Sequence, residues 1–334
     1  MKSEGNFWNQ LPKPILVLAP MADVTDAAFR RLIAKYGKPD VMWTEFVSAD
    51  GLVRATEEGK RKLMKDLIFS NEERPIVAQL FSATPQYMQQ AAALCRELGF
   101  NGIDINMGCP DKSIEKQGAG AAMIKNPQNA RAVIRAAKIG AGNLPVSVKT
   151  RIGYNKDELE TWIPELLAEN PAVLTVHART RKEMSLVPAR WEHIKRAVEI
   201  RDKMGSDTLI FGNGDVLNVE DARQKAMESG ADGVMLGRAI FGNPWLFSDY
   251  DSKRKKIIDD PKVILHTLEV LLEHTKLFEE LLGDTKNFAV MKKHYKAYVS
   301  GFDNSKELRM KLMEANNSGE VEMVIEEYIK NISA

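Results

Sequence analysis

The chain has 334 residues, a formal net charge of +1 at pH 7, 44% hydrophobic and 28% charged residues, and two cysteines. Length and composition suit a globular protein with one large domain and a small one, and the near-zero charge means that any nucleic-acid surface has to be local. No apolar run is long enough to cross a bilayer, residues 1–14 lack the basic-then-apolar pattern of a secretory leader, and Cys95 and Cys109 make neither a disulfide framework nor a CxxC zinc pair, so the expectation is a reducing cytoplasm, with no membrane and no metal.

In chain order, Ile15-Leu16-Val17-Leu18-Ala19-Pro20 reads as a buried strand stopped by proline. The loop Met21-Ala22-Asp23 follows, then a helix capped by Thr25 or Asp26 that runs through Phe29, Leu32 and Ile33. Residues 41–45 form a second strand and 54–65 a charged helix. The third strand is 75–81, with Gln79 near its carboxyl end, and Pro85 opens a helix to Leu98. In 101–110, Ile103 and Ile105 alternate with Asp104 and Asn106 as on a short strand, which Gly108, Cys109 and Pro110 end abruptly. The rhythm continues with helices at 127–139, 157–168, 191–204 and 219–228 and strands at 146–151, 173–179, 208–213 and 233–238.

Eight apolar strands alternating with helices over roughly 240 residues predict an α/β protein with a (β/α)8 TIM barrel. An open doubly wound sheet would need a Gly-rich fingerprint after the first strand, and Pro20-Met21-Ala22 is not one. After Asp251 the pattern changes. Residues 252–256 are a basic, linker-like run, followed by helices at 262–282, 286–300, 305–315 and 320–332. The last shows Val321, Val324, Ile325, Tyr328, Ile329 and Ile332 on one face. The expected organisation is a barrel over 1–251 and a small helical bundle over 252–334.

In a barrel, Gln79, Asn106, Cys109, Lys149, His177, Arg179, Asn213 and Arg238 all sit at strand ends on one rim, where such folds keep their chemistry. Each alone has a plain structural explanation; their coincidence does not. The turns Gly212-Asn213-Gly214-Asp215 and Gly237-Arg238 follow strands seven and eight, the usual phosphate site of a barrel, and Arg238 adds a forked cation. They point to a phosphorylated ligand.

The segments Ala19-Pro20-Met21-Ala22, Asp104-Ile105-Asn106-Met107-Gly108-Cys109-Pro110, Val148-Lys149-Thr150-Arg151, Val176-His177-Ala178-Arg179-Thr180-Arg181, Gly212-Asn213-Gly214-Asp215 and Gly237-Arg238-Ala239 resemble, in order, those of the tRNA dihydrouridine synthases. Met291-Lys292-Lys293-His294-Tyr295 resembles that family's tRNA-binding appendage. The resemblance implies FMN as cofactor and NADPH as reductant. It implies that Pro20, Met21 and Ala22 line the flavin ring, that Gln79, Lys149 and His177 contact it, and that Asn213, Gly214, Asp215, Gly237 and Arg238 hold its ribityl chain and phosphate. It also implies hydride transfer to C6 of a uracil and protonation of C5 by Cys109, with Asn106 and Arg179 orienting the base.

The implied substrate is tRNA, with ribosomal RNA as the other possibility, bound by a monomer. Lys286, Lys292, Lys293, His294, Lys296, Lys306, Arg309 and Lys311, with Tyr295 and Tyr298 interleaved, are the expected RNA surface. Two departures stand out. Asp23 occupies a position where family members usually have Gly, and 184–190 lacks the family's usual aromatic residue and Gly. The rival readings are a flavin barrel acting on a free pyrimidine, which needs no basic appendage, and an RNA-binding module that has lost catalysis, which needs no Cys109, Lys149 or phosphate turns.

Overall fold

The computed structural model describes residues 6–333; the leader reading rests in part on residues 1–5, outside that range. The strands are β1 (Ile15–Leu18), β2 (Met42–Ser48), β3 (Ile76–Phe81), β4 (Gly102–Met107), β5 (Val146–Arg151), β6 (Val173–His177), β7 (Leu209–Asn213) and β8 (Gly233–Leu236). They form one sheet in the order β1-β8-β7-β6-β5-β4-β3-β2. A parallel bridge between Val17 and Val41, with the Leu18 N–H donating to the Val41 carbonyl at 3.2 Å, brings β1 onto the start of β2. The sheet is the expected (β/α)8 barrel.

Strand periodicity sorts its side chains. Ile103, Ile105, Val146, Val148, Leu174 and Val176 are fully or almost fully buried on the helix-facing side, while Gln79, Asp104, Asn106, Ser147, Lys149 and Thr175 share the barrel interior through the registers Gln79↔Asp104↔Ser147 and Asn106↔Lys149↔Thr175. Trp8, in the single turn ahead of β1, packs its ring 5.6 Å from those of Trp43 and Phe211. It fills the amino-terminal end of the barrel, so the polar interior belongs to the opposite end.

Within the described residues the chain sorts into two compact units. The first holds the residues up to Pro20, Pro39–Leu67 and Arg74–Arg238, including all eight strands and helices α2 (Ala49–Arg54), α3 (Glu57–Lys65), α4 (Pro85–Glu97), α5 (Lys112–Lys116), α6 (Pro127–Ala141), α7 (Leu159–Leu167), α8 (Glu192–Lys203) and α9 (Val219–Ser229). The helix expected over 54–65 begins at Glu57: Arg54 is the last residue of α2, and Thr56 caps α3 by accepting the Gly59 N–H.

The second unit holds Met21–Lys38, Ile68–Glu73 and the residues from Ala239 on. Its helix α1 (Ala27–Tyr36) is capped by Asp26, whose Oδ1 accepts the Phe29 N–H at 3.0 Å. Arg30 ties α1 to the 68–73 segment: its guanidinium donates to Glu73 at 2.7 Å and to the carbonyls of Thr25 and Ile68, with the pair fully buried.

The basic run at 252–256 is not a linker. It lies largely in helix α10 (Asp249–Lys255), with aspartates in the first turn and cations in the last, the arrangement that complements the helix dipole. Helices α11 (Pro261–Leu282), α12 (Ala289–Tyr298), α13 (Ser305–Glu314) and α14 (Ser318–Ser333) complete the bundle. Val321 and Ile325 of the expected α14 face are buried, and the Ile332 side chain lies outside the described residues. No helix among the described residues is long and apolar enough to cross a membrane.

The core of this unit carries two fully buried imidazoles. The rings of His274 and His294 lie 4.5 Å apart, with Phe29 stacked on His274 at 4.8 Å. Both nitrogens of His294 and the Nε2 of His274 lack hydrogen-bond partners among the described residues. Burial, with Lys293 adding to it, pushes His294 down to about 3, and burial pushes His274 well below its usual range. The unfolded chain therefore binds more protons than the folded one from about pH 6.5 down to about 3, and stability is lost as pH falls through that window. The Tm of the whole chain should drop between pH 6.5 and 4. His294→Leu should flatten that drop and leave the variant about 2 kcal/mol more stable than the parent at pH 5; an unchanged pH profile would contradict this.

Candidate active site

The carboxyl ends of β3 to β8 bring Gln79, Asn106, Lys149, His177 and Asn213, and the loop residues Cys109, Arg179, Gly214, Asp215, Gly237 and Arg238, to one rim of the barrel. Pro20 ends β1 in the first unit. Met21 and Ala22 open the stretch that sorts with the second unit, and Lys292 and Lys293 lie on α12 in that unit.

Cys109 sits half-buried on the loop after β4. Its side chain packs against the cluster of Phe81, Ile114 and Ala119, with Phe46 and Ala83 alongside. Burial against that wall is the main reason its thiol is raised above its usual range; the Asp111 N–H opposes it, as do Lys149 and Arg151, while the Asp111 carboxylate adds to it. The thiol therefore keeps its proton at neutral pH.

Three sets of contacts fix the loop. The Asn106 Oδ1 accepts the N–H groups of Gly108 (3.1 Å) and Cys109 (2.9 Å). Asp111 caps α5 by accepting from Ser113 and Ile114. Arg151 donates to the Gly108 carbonyl at 2.8 Å and to the carbonyls of Thr180 and Met184, bracing two rim loops. Gly120 has φ +60°, and a Cβ there would lie 2.7 Å from the Cys109 carbonyl oxygen, so only glycine lets the 118–122 backbone approach this close.

Lys149 projects from β5 into the barrel. Its ammonium has no hydrogen bond or ion pair among the described residues. Burial first, and Arg151 second, pull it down to about 8 against the attraction of Asp104 and Cys109. Gln79 is fully buried; its Nε2 donates to Asp104 at 2.6 Å and its Oε1 accepts from Asn106 at 3.0 Å, leaving one N–H for a ligand. A cation and an amide donor with free hydrogen-bonding capacity in a water-poor interior suit an electron-rich ring edge.

His177 is neutral: burial pushes it well below its usual range, and Arg151, Lys149, Arg179 and Arg238 add to the shift. The Arg179 Nη1 lies 3.1 Å from His177 Nε2. A guanidinium only donates, so Nε2 is the acceptor and the proton sits on Nδ1. Arg179 also donates to the Val187 carbonyl at 2.6 Å and bonds the Asp215 carboxylate.

Asp215, at φ +47°, is held by Arg179, Arg238 and the Ala189 N–H, and its carboxyl lies below the usual range chiefly through Arg179. Two guanidiniums thus offset the carboxylate in the turn expected to hold a phosphate, and the Arg238 side chain is 63% exposed. The Trp191 Nε1 donates to the Gly214 carbonyl at 2.9 Å, and a Cβ on Gly212 would lie 2.3 Å from the Trp191 ring. The indole of the atypical 184–191 loop therefore anchors the turn after β7.

In the second unit, Lys292, Lys293, Lys296, Lys306 and Arg309 line an open groove of about 700 Å³ floored by Ala289, Met310 and Met313. Lys293 and Lys286 pair with Asp23 at 3.3 and 3.9 Å. Three residues expected on this surface are elsewhere: His294, Tyr295 and Tyr298 are buried. With Met291 they follow i, i+3, i+4, i+7 spacing, the core face of α12, which leaves Lys292, Lys293 and Lys296 outward.

Sequence reasoning missed Asp104, Arg151, Phe46 and Phe81. The alternation on β4 flagged Asp104 as inward and polar. The two phenylalanines carried no signal, since strand aromatics are ordinary core.

Among the described residues no three His, Cys, Asp or Glu side chains are placed to hold a metal. The family model described as Dihydrouridine synthase matches residues 17–333. A Staphylococcus aureus MRSA252 protein named probable tRNA-dihydrouridine synthase is 37% identical over 329 residues, covering 97% of this chain and 95% of that one. Bacillus subtilis 168 probable tRNA-dihydrouridine synthase 2 is 37% identical over 325 residues, covering 97% and 96%. A solved structure of 2-naphthoyl-CoA reductase with 2-naphthoyl-CoA shares the barrel fold, with TM-score 0.54 and 13% identity over 74% of this chain and 52% of that one.

Proposed function

The chain belongs to the dihydrouridine synthase family, and on that premise we propose that it is an FMN-dependent oxidoreductase that reduces the C5–C6 double bond of uridine in tRNA with NADPH. The observation that carries the reading is the pairing of a protonated, half-buried thiol on the β4 loop with a half-buried ammonium that no group among the described residues bonds. The donors suit FMN. Lys149, the free N–H of Gln79 and His177 would bind the ring, with Pro20, Met21 and Ala22 lining it. Asn213, Gly214, Asp215, Gly237 and Arg238 would hold the ribityl phosphate, the Arg238 cation meeting the negative charge.

When bound, FMN supplies the hydride that goes to C6 of the uracil. Cys109 holds a proton on Sγ and delivers it to C5, and the wall of Phe81, Ile114 and Ala119 keeps water from competing for that proton. Asn106 keeps one Nδ2 hydrogen for the base after its bonds to Gln79 and the Cys109 loop. Arg179 supports the base through the loop and imidazole it holds. The uridine is extruded from its stack to reach the site.

The basic groove on α12 and α13, in the 252–334 helical region, would take the RNA backbone, with the enzyme acting as a cytoplasmic monomer. Replacing Lys292 and Lys293 by Glu should weaken tRNA binding and flatten its salt dependence while flavin content stays unchanged, measured by filter binding at several salt concentrations. Unaltered affinity would reject the patch.

The test of the function is position-resolved dihydrouridine mapping of RNA from a strain lacking such synthases, incubated with the purified protein and NADPH. New dihydrouridines in tRNA are the expected result. A signal in ribosomal RNA would keep the reaction and change the substrate. No signal from a yellow protein whose flavin NADPH reduces would point to a free pyrimidine, and no signal from a colourless one to a binding module.

A further inference from the structure

A buried chain of hydrogen bonds runs from the middle of the barrel to the cysteine loop. Ser147 Oγ donates to Asp104 Oδ1 at 2.5 Å. Gln79 Nε2 donates to Asp104 Oδ2 at 2.6 Å, Asn106 Nδ2 donates to Gln79 Oε1 at 3.0 Å, and Asn106 Oδ1 accepts the Cys109 N–H at 2.9 Å and the Gly108 N–H at 3.1 Å. Asp104, Gln79 and Ser147 are no more than 1% exposed and Asn106 is 7% exposed.

An amide side chain has a donor end and an acceptor end, so each amide can be turned two ways. End groups of fixed character choose between them: the Gly108 and Cys109 N–H groups, which only donate, at the loop end, and Asp104 at the other. Burial pushes its carboxyl up to about 6, which still leaves it ionised at neutral pH, with Lys149 supplying the nearby positive charge. An ionised carboxylate only accepts, so Gln79 has to present its NH2 to it. The Gln79 oxygen then faces Asn106, which has to present its own NH2, and the Asn106 oxygen is left toward the loop.

We propose that Asp104 is the positioning residue of the Cys109 loop, its carboxylate setting the orientation of Gln79 and Asn106 in turn. The same chain sets which end of Gln79 is offered to a ligand: one N–H, never the oxygen. Asp104 touches neither thiol nor ligand; it acts through the two amides. Its consequence for turnover rests on the reading of Cys109 as proton donor.

The test is a cycle of D104N, N106D and D104N/N106D. In N106D the new carboxylate still accepts from the loop, but Gln79 now lies between two acceptors and no orientation satisfies both. Adding D104N makes position 104 a donor, so Gln79 turns over and the chain runs in reverse with every bond made. Any attraction between Lys149 and the new carboxylate is common to N106D and the double variant and cancels in the comparison.

The readouts are Tm, FMN affinity, and the site-resolved rate of Cys109 alkylation by iodoacetamide in FMN-free protein, where the fully buried Cys95 serves as the unreactive reference. None of them needs catalysis, so the result is separable from failure of the proposed function. N106D is expected to change the alkylation rate by about fivefold or more, and the double variant to return it to within about twofold of the parent; FMN is weakened in N106D and stays weakened in the double variant, where the turned Gln79 no longer offers its N–H to the ligand. If N106D alone does not fold, a folded double variant carries the same conclusion. A double variant whose alkylation rate is no closer to the parent's than that of N106D, or one that also fails to fold, overturns the proposal.

Discussion

Cys109→Ala is expected to lower single-turnover reduction of uridine by about 10²- to 10⁴-fold, the range that a positioned general acid supplies, with FMN content unchanged. The thiol packs against Phe81, Ile114 and Ala119, and that burial raises it above its ordinary range. It therefore stays a proton donor at neutral pH and beyond. In the parent, the step should hold its rate up to the raised thiol value and fall above it; in the alanine variant that fall should disappear. Cys109→Ser keeps an O–H at the same place but with a far weaker acid, so it should rescue little. The Cys109 main chain is held by Asn106, independently of the side chain, so the variants should melt within a degree or two of the parent and load FMN equally. An alanine variant within threefold of the parent would remove Cys109 from the proton path. Rapid mixing of the reduced enzyme with tRNA, followed by dihydrouridine quantification, distinguishes the outcomes.

The second large effect concerns Lys149. Lys149→Met should weaken FMN by roughly 10- to 150-fold, the factor that loss of a hydrogen bond to a charged group of about 1.5–3 kcal/mol sets. The same change should leave the FMN-free protein as stable or more stable, because it removes a half-buried ammonium that no group among the described residues bonds. A residue important only to packing would lower both quantities.

The pH dependence separates the contributions further. Lys149 is depressed to about 8 in the folded chain. Below that pH both states hold the proton and its cost is constant. Between about 8 and 10.5 the unfolded chain holds the proton and the folded one does not, so this group's contribution to FMN-free stability rises with pH. FMN affinity moves the other way, because binding needs the ammonium: it should fall as pH rises above about 8. Lys149→Met should abolish both slopes. Fluorescence titration of FMN and thermal melts of the FMN-free protein at pH 7, 8, 9 and 10 read them directly; an FMN affinity flat in the parent over that range would contradict the role.

The sequence by itself determined the order of elements, the barrel and the family. Those are written in local signals: a run of β-branched residues bounded by Pro or Gly, a cap or a first-turn proline at some helix starts, and motifs such as Asn106-Met107-Gly108-Cys109-Pro110 that survive without any partner. It also placed the candidate chemistry at strand ends, because in a parallel barrel all carboxyl ends share one rim. Where its reading of 252–256 and of α12 failed, the information was still local. Asp249 and Asp251 start a helix that Lys253–Lys255 complement, and the spacing of Met291, His294, Tyr295 and Tyr298 is a core stripe. In both places charge drew more weight than period.

Only the tertiary structure decided what each rim residue does with its polar atoms. Arg179 is engaged by Asp215 as well as by its chain neighbours His177 and Val187, and Arg151 by Gly108, Thr180 and Met184; the Asp215 contact and all three Arg151 contacts reach across 29 or more residues of chain. Lys149, two residues from Arg151, is left without a hydrogen bond or ion pair among the described residues. The line from Asp104 through Gln79 to Asn106 joins residues on different strands whose meeting depends on the β3–β4 register, and a slip of one residue would turn every one of those side chains to the other face. Hydrogen-bond direction is set by the character of the last group in a chain of contacts, and contacts between strands are invisible in a linear string until the sheet has closed.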